Sequence, residues 1–111
     1  MDIKKIKFET IESKWFYTKP EYSGDPFSEF REFKEALQKT ENAVKAYVSE
    51  KLGEKGFIFP YPSRMTIIKD GRREYYHITQ ALYNPECTAR ILISKSDYSE
   101  DVTVIFQIAK A

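Results

Sequence analysis

The sequence predicts a single α+β domain, residues 1–111, in which one long helix packs on a curved antiparallel sheet of about four to five strands. Three observations lead to this fold: a helical apolar period after residue 25, alternating patterns before and after it, and an Asp-Gly pair between two alternating runs. The predicted order of elements is β-α-β-β-β-β.

Composition fits one folded domain. Of 111 residues, 41% are apolar and 15% aromatic, which is too apolar for a disordered chain and enough for one core. Residues 1–56 carry eleven basic and eleven acidic side chains, and residues 57–111 carry seven and six. Because proteins that neutralise phosphates show a basic excess, this balance argues against bulk electrostatic attachment to nucleic acid.

The single cysteine bears on the cellular compartment. Cys87 cannot form an internal disulfide, which favours a reducing environment. The first residues are charged without the apolar stretch of a signal peptide, and no run approaches the ~20 apolar residues of a membrane span. The sequence therefore predicts a cytoplasmic protein with no membrane partner.

Alternating residues near the N-terminus predict a half-buried strand from Ile3 to Tyr17, with Ile6 and Phe8 on one side. The alternation slips by one residue between positions 11 and 13. Residues 15–17 therefore form either a bulged continuation of this strand or a second short strand.

A long helix follows. Asp25 is a capping residue and Pro26 suits the first helical position, while Gly53 and Gly56 end the pattern. The sequence leaves open whether this helix is continuous or bends near residues 40–42, where the apolar stripe is weakest. The predicted core stripe is Phe30, Phe33, Leu37, Val44, Tyr47, Val48 and Leu52.

Short strands are predicted after the helix. Residues 57–62 contain two prolines and form an edge or irregular segment. Residues 64–69 and 72–83 flank Asp70-Gly71, a sequence suited to a two-residue type I′ turn. Residues 87–94 and 102–109 form the last two strands.

The sequence offers no metal or cofactor motif. With one histidine and one cysteine, no Cys-x-x-Cys or His-x-x-x-His spacing exists, and the four glycines match no phosphate-binding loop. Cys87 and His77 are the one nucleophile and base pair available, but cysteine is among the most commonly buried residue types, which favours packing. We therefore expect no cofactor, no metal and no assignable catalytic residue.

The Asp70-Gly71 turn fixes a hairpin register that pairs Ile68 with Arg73, Thr66 with Tyr75, and Arg64 with His77. The alternate residues are expected to pack against the helix: Met65, Ile67, Tyr76, Ile78 and Leu82. The opposite, solvent-facing set is Arg64, Thr66, Arg73, Tyr75, His77, Thr79 and Tyr83, joined by Arg90 if Ile91 and Ile93 point inward.

Arginine and tyrosine on one exposed sheet face are typical of binding surfaces. We expect a small non-enzymatic binding protein, of accessory or inhibitor type, that engages a protein partner through Arg64, Arg73, Tyr75, His77 and Arg90. A nucleic-acid-binding module that uses the same residues is the first alternative. The second is an enzyme that acts on a small ligand in a cleft between helix and sheet.

Overall fold

A computed structural model describes residues 6–53, 56–95 and 100–110, and only the backbone of residues 57–62 and 69. The elements are β1 (Phe8–Phe16), α1 (Glu29–Leu52), β2 (Phe57–Lys69), β3 (Arg72–Tyr83), β4 (Ala89–Lys95) and β5 (Val102–Ala109). The strands form one antiparallel sheet of order β1-β5-β4-β3-β2. The predicted α+β fold, one long helix on a curved antiparallel sheet, is confirmed.

β1 is a bulged strand at one edge of the sheet. Its register against β5 shifts between Thr10 and Glu12 and then continues to Phe16, which pairs with Val102. The slip in alternation at residues 11–13 is therefore a β-bulge, and the bulged continuation is the correct alternative. The predicted start of this strand, at Ile3, lies outside the described residues.

α1 starts later than the sequence suggests. The Asp25 carboxylate accepts hydrogen bonds from the Phe27 N–H, at 3.0 Å, and from the Ser28 hydroxyl, at 2.9 Å, so residues 25–28 form a turn before the first helical residue, Glu29. The helix then runs without interruption to Leu52. Gly53 ends it with a φ of 77°, and its N–H donates to the Ser49 carbonyl at 3.0 Å.

The predicted core stripe of α1 is wrong at its N-terminal end, where Phe30 is 69% exposed. The 24-residue helix is about 36 Å long, whereas the seven-residue strand β4 spans about 23 Å. The helix therefore extends beyond the strand beneath it. The N-terminal half packs instead on residues 18–23. There the buried Glu32 carboxylate accepts hydrogen bonds from the N–H and the hydroxyl of Ser23, at 2.9 and 2.7 Å.

The C-terminal half of α1 packs on the sheet. The core between them, called the helix-side core, contains Tyr47, Leu52, Ala89, Ile91 and Val104, with Phe16, Val44, Val48, Leu82, Ile93 and Phe106 packed against it. Ile91 and Val104 have no exposed surface. Alternating residues of β4 and β5 therefore supply the floor on which the helix rests.

A second core lies on the opposite face of the sheet. This hairpin-side core contains Ile67, Ile78, Ala81, Tyr83, Leu92 and Ile105, with Phe8, Met65 and Tyr76 packed against it. The prediction that Met65, Ile67, Tyr76 and Ile78 pack against the helix is therefore wrong, and of the predicted set only Leu82 does so.

A β-bulge causes this inversion. The register of β3 against β4 shifts between Ile78 and Gln80, and that of β2 against β3 shifts between Pro60 and Ser63. An extra residue in a strand moves every following side chain to the other face. Leu82 therefore points to the helix while Ile78, four residues earlier, points away from it.

The bulged hairpin of β2 and β3 curls towards β1. The Tyr76 side chain, on β3, donates a hydrogen bond to Glu74, and the Ser13 hydroxyl of β1 approaches the same phenol. Burial, followed by the Glu74 carboxylate, raises the pKa of Tyr76. This contact joins strands from opposite halves of the sheet and covers the hairpin-side core.

The connection between β3 and β4 is a tight turn organised by Asn84. Its side-chain oxygen accepts hydrogen bonds from the N–H groups of Thr88 and Ala89, at 2.9 and 3.0 Å. Cys87 lies in this turn with a φ of 56°, and its N–H donates to the Asn84 carbonyl. β4 thus begins at Ala89, two residues after the predicted start, and Cys87 is not on the sheet.

Within the described residues, no helix is both long and apolar enough to span a membrane.

Replacing Ile91 by Ala tests the helix-side core. Because Ile91 has no exposed surface, we expect the free energy of unfolding to fall by ~2–5 kcal/mol in urea denaturation. Leu37→Ala, at a half-buried position, should cost less than half as much. Equal losses in the two variants would show that the helix packs over its whole length.

The Tyr47 hydroxyl is buried and has no hydrogen-bond partner of normal geometry among the described residues. Burial raises the pKa of Tyr47 from 10.0 to about 12, and the charges of Glu12 and Glu50 add to this shift. Because the pKa of Tyr47 is higher in the folded state than in the unfolded chain, the protonated phenol stabilises the folded state below pH 10. This contribution to the free energy of unfolding is lost as the pH rises towards 12.

Tyr47→Phe should therefore reduce the alkaline loss of stability. We expect the free energy of unfolding of the wild type to drop between pH 10 and pH 12 in urea denaturation, and that of the variant to drop by less. Tyr22→Phe, at an exposed ring, is the matched control. The same drop in all three proteins would contradict the role given to Tyr47.

Candidate functional site

The Asp70-Gly71 turn sets the geometry of the candidate site. Both residues have positive φ, 52° and 75°, as a type I′ turn requires, and glycine adopts such angles without strain. The strands pair as the sequence predicts, with Ile68 opposite Arg73, Thr66 opposite Tyr75, and Arg64 opposite His77.

These six residues form one exposed surface, which we call the hairpin face: Arg64, Thr66, Ile68, Arg73, Tyr75 and His77. In a hairpin closed by two residues, the pair flanking the turn is hydrogen-bonded and the next pair is not. All three pairs of the hairpin face are therefore of the non-hydrogen-bonded kind, in which opposite side chains lie closest together.

The hairpin face is apolar and cationic at once. Tyr75 is 74% exposed and Ile68 is 68% exposed, beside two guanidinium groups and no carboxylate. None of the six side chains makes a hydrogen bond or ion pair with another residue in the described part of the chain. Their polar groups are thus free to contact another molecule.

The edge of β2 lies beside this face. β2 is the last strand in the sheet order, and the residues in its non-hydrogen-bonded pairs turn their N–H and C=O groups away from β3. These residues are Arg64, Thr66 and Ile68. Only a long hydrogen bond from the Ser63 hydroxyl to the Arg64 carbonyl, at 3.4 Å, occupies this edge among the described residues.

The structure changes the membership of the predicted solvent-facing set. Ile68 belongs to it, and the register that pairs Ile68 with Arg73 is the sequence signal that places it there. Thr79 is exposed but lies at the β3 bulge, where its hydroxyl donates to the Ile93 carbonyl at 3.1 Å. Tyr83 is 2% exposed and belongs to the hairpin-side core.

Arg90 lies apart from the hairpin face, on the opposite side of the sheet. Its Nε donates to the side-chain oxygen of Gln107 at 2.6 Å, and its Nη1 donates to the Tyr83 hydroxyl at 3.2 Å. Its guanidinium also lies 4.1 Å from the centre of the Phe8 ring. Gln107 in turn donates to the Thr10 hydroxyl at 3.0 Å. Arg90 is half-buried in a network that connects four strands.

Cys87 and His77 are not brought together. Cys87 lies in the turn after β3, and six residues of extended strand, about 20 Å, separate His77 from the end of β3. In the residues that the structure describes, no three His, Cys, Asp or Glu side chains are grouped closely enough to hold a metal ion.

Comparison with protein-family models, with curated proteins and with solved structures finds no match for this chain. Its function is therefore inferred from the geometry of its own residues.

Arg90→Met tests the network around Arg90, because methionine keeps much of the apolar stem and removes the guanidinium. We expect a loss of ~1–3 kcal/mol in the free energy of unfolding, since Gln107, 4% exposed, and Tyr83 lose their donor. Arg73→Met, at an exposed position, should change stability by less than about 0.5 kcal/mol. A neutral Arg90→Met would return Arg90 to the candidate binding residues.

Proposed function

We propose that this protein is a small non-enzymatic binding protein, of accessory or inhibitor type, whose hairpin face engages an acidic surface of a protein partner. The observation that carries the proposal is the exposure of Ile68 and Tyr75 between Arg64, Arg73 and His77, with no carboxylate among them. Exposed tyrosine and arginine on a rigid element are the residue types that supply most of the energy at protein interfaces.

The free edge of β2 adds a second way to bind. An extended segment of the partner can pair with the outward N–H and C=O groups of Arg64, Thr66 and Ile68, while its acidic side chains meet the two arginines. Main-chain hydrogen bonds then supply affinity and the hairpin face supplies specificity. Arg90 is not part of this surface in the proposal, because its guanidinium already binds Gln107 and Tyr83.

A cytoplasmic location belongs to the same proposal. It is supported by Cys87, the one cysteine of the chain, which can form no internal disulfide and so suits a reducing compartment.

Charge reversal of the two arginines tests the proposal. Partners captured from the native cell by the wild-type chain are identified and purified, and their affinities are measured by calorimetry. We expect the double variant Arg64→Glu with Arg73→Glu to bind the specific partner at least about 30-fold more weakly, a loss of about 2 kcal/mol in binding free energy. Its melting temperature should be unchanged. The matched control, Lys34→Glu with Lys39→Glu on exposed positions of α1, should bind normally.

Two outcomes would overturn the proposal. A larger loss in the α1 control than in the hairpin variant would move the site to the helix. Capture of nucleic acid, with an affinity that falls steeply and linearly in the logarithm of salt concentration, would identify a nucleic-acid-binding module that uses the same arginines and Tyr75.

A further inference from the structure

A cleft opens between the C-terminal half of α1 and the sheet. Its volume is about 620 Å³, within the range of roughly 300–1,000 Å³ that is usual for small-molecule sites. Its apolar walls are Val44 and Val48 of α1, Leu82 of β3, Ile93 of β4 and Val102 of β5. These apolar walls therefore lie on α1 and on three strands of the sheet.

The walls are incompletely packed. Val44, Val48, Leu82 and Ile93 all border the helix-side core, yet each keeps part of its surface accessible. The cleft lies beside the closely packed part of this core, where Tyr47 and Ile91 are both buried. A ligand with an apolar body would cover this remaining surface.

The polar groups at the cleft favour an anion. Among the lining residues that the structure describes, Lys45 and Lys95 accompany one carboxylate, that of Glu41, and neither lysine forms an ion pair with a described residue. Glu41 and Lys45 are four residues apart on the helix but are not within ion-pair distance. The half-buried Gln80 side chain also lines the cleft, and its amide makes no hydrogen bond to another described residue.

We infer that this cleft is a binding site for a small amphipathic molecule with an apolar body and a single carboxylate. The apolar body packs between the valines of α1 and the sheet, and the carboxylate accepts hydrogen bonds from Lys45, Lys95 and the Gln80 amide. A charge-assisted hydrogen bond beside an apolar wall is stronger than one in open water. The inference does not depend on the proposed function, because the hairpin face has no residue in common with the cleft.

Three ten-carbon probes that differ only in their head group test the inference. Decanoate, decanol and decyltrimethylammonium are titrated into the full chain, below the micelle concentrations of the two ionic probes and below the solubility limit of decanol, with calorimetry and methyl NMR as readouts. We expect decanoate to bind at least ten times more tightly than decyltrimethylammonium, with decanol between them. The methyl signals that shift should be those of Val44, Val48, Leu82, Ile93 and Val102.

Two variants separate the head group from the apolar wall. The double variant Lys45→Gln with Lys95→Gln should lower the affinity for decanoate about tenfold and leave the affinity for decanol unchanged. Lys39→Gln, on the same helix but outside the cleft, should change neither affinity. Val48→Trp fills the cleft and should abolish binding of all three probes. The lysine variant keeps the test decisive if Val48→Trp fails to fold, since its substitutions leave the apolar core intact.

Three results would contradict a carboxylate-binding cleft. Absence of decanoate binding at millimolar concentration, equal affinities for the anionic and cationic probes, or methyl shifts confined to Ile11 and Leu37, which lie outside the cleft, would each contradict this assignment. The Arg64→Glu and Arg73→Glu variant should bind decanoate normally, so the cleft and the hairpin face succeed or fail separately.

Discussion

The β-bulge between Ile78 and Gln80 is the constraint on which the rest of the structure depends. Before the bulge, Tyr76 and Ile78 of β3 point away from the helix, and after it Leu82 points towards the helix. One strand therefore contributes to two cores on opposite faces of one sheet. Without the extra residue, Ile78 and Leu82 would lie on the same face, and the hairpin-side core would lose Ile78, one of its two isoleucines with no exposed surface.

The bulge also explains why the hairpin face is open. Arg73, Tyr75 and His77 lie on the same face of the sheet as the helix, but the curled hairpin carries them beyond the part of the sheet that α1 covers. The helix leaves the sheet towards its N-terminus, whereas Leu52, its last residue, is buried in the helix-side core. Its N-terminal half rests on residues 18–23, and the cleft lies beside its C-terminal half.

Local signals were predictable from the sequence, whereas their assembly was not. Asp70-Gly71 fixed the hairpin register because a two-residue turn leaves one pairing, and the slip in alternation at residues 11–13 revealed the β1 bulge. The β3 bulge has no such signal, because the run from Tyr75 to Leu82 can be read with apolar residues on either face. The prediction that Phe30 is a core residue is wrong because the apolar period of a helix shows which side of the helix is apolar. It does not show where the sheet beneath the helix ends.

Arg64 and Arg90 show what decides whether an arginine serves folding or binding. Both lie on strands beside aromatic residues, and the sequence grouped them together. The guanidinium of Arg90 has Gln107, Tyr83 and Phe8 around it, so its interactions are consumed within the fold. Arg64 has no such partners in the described residues and stands on the side of the hairpin that neither core uses. Substitutions on that side can therefore alter recognition while leaving both cores intact.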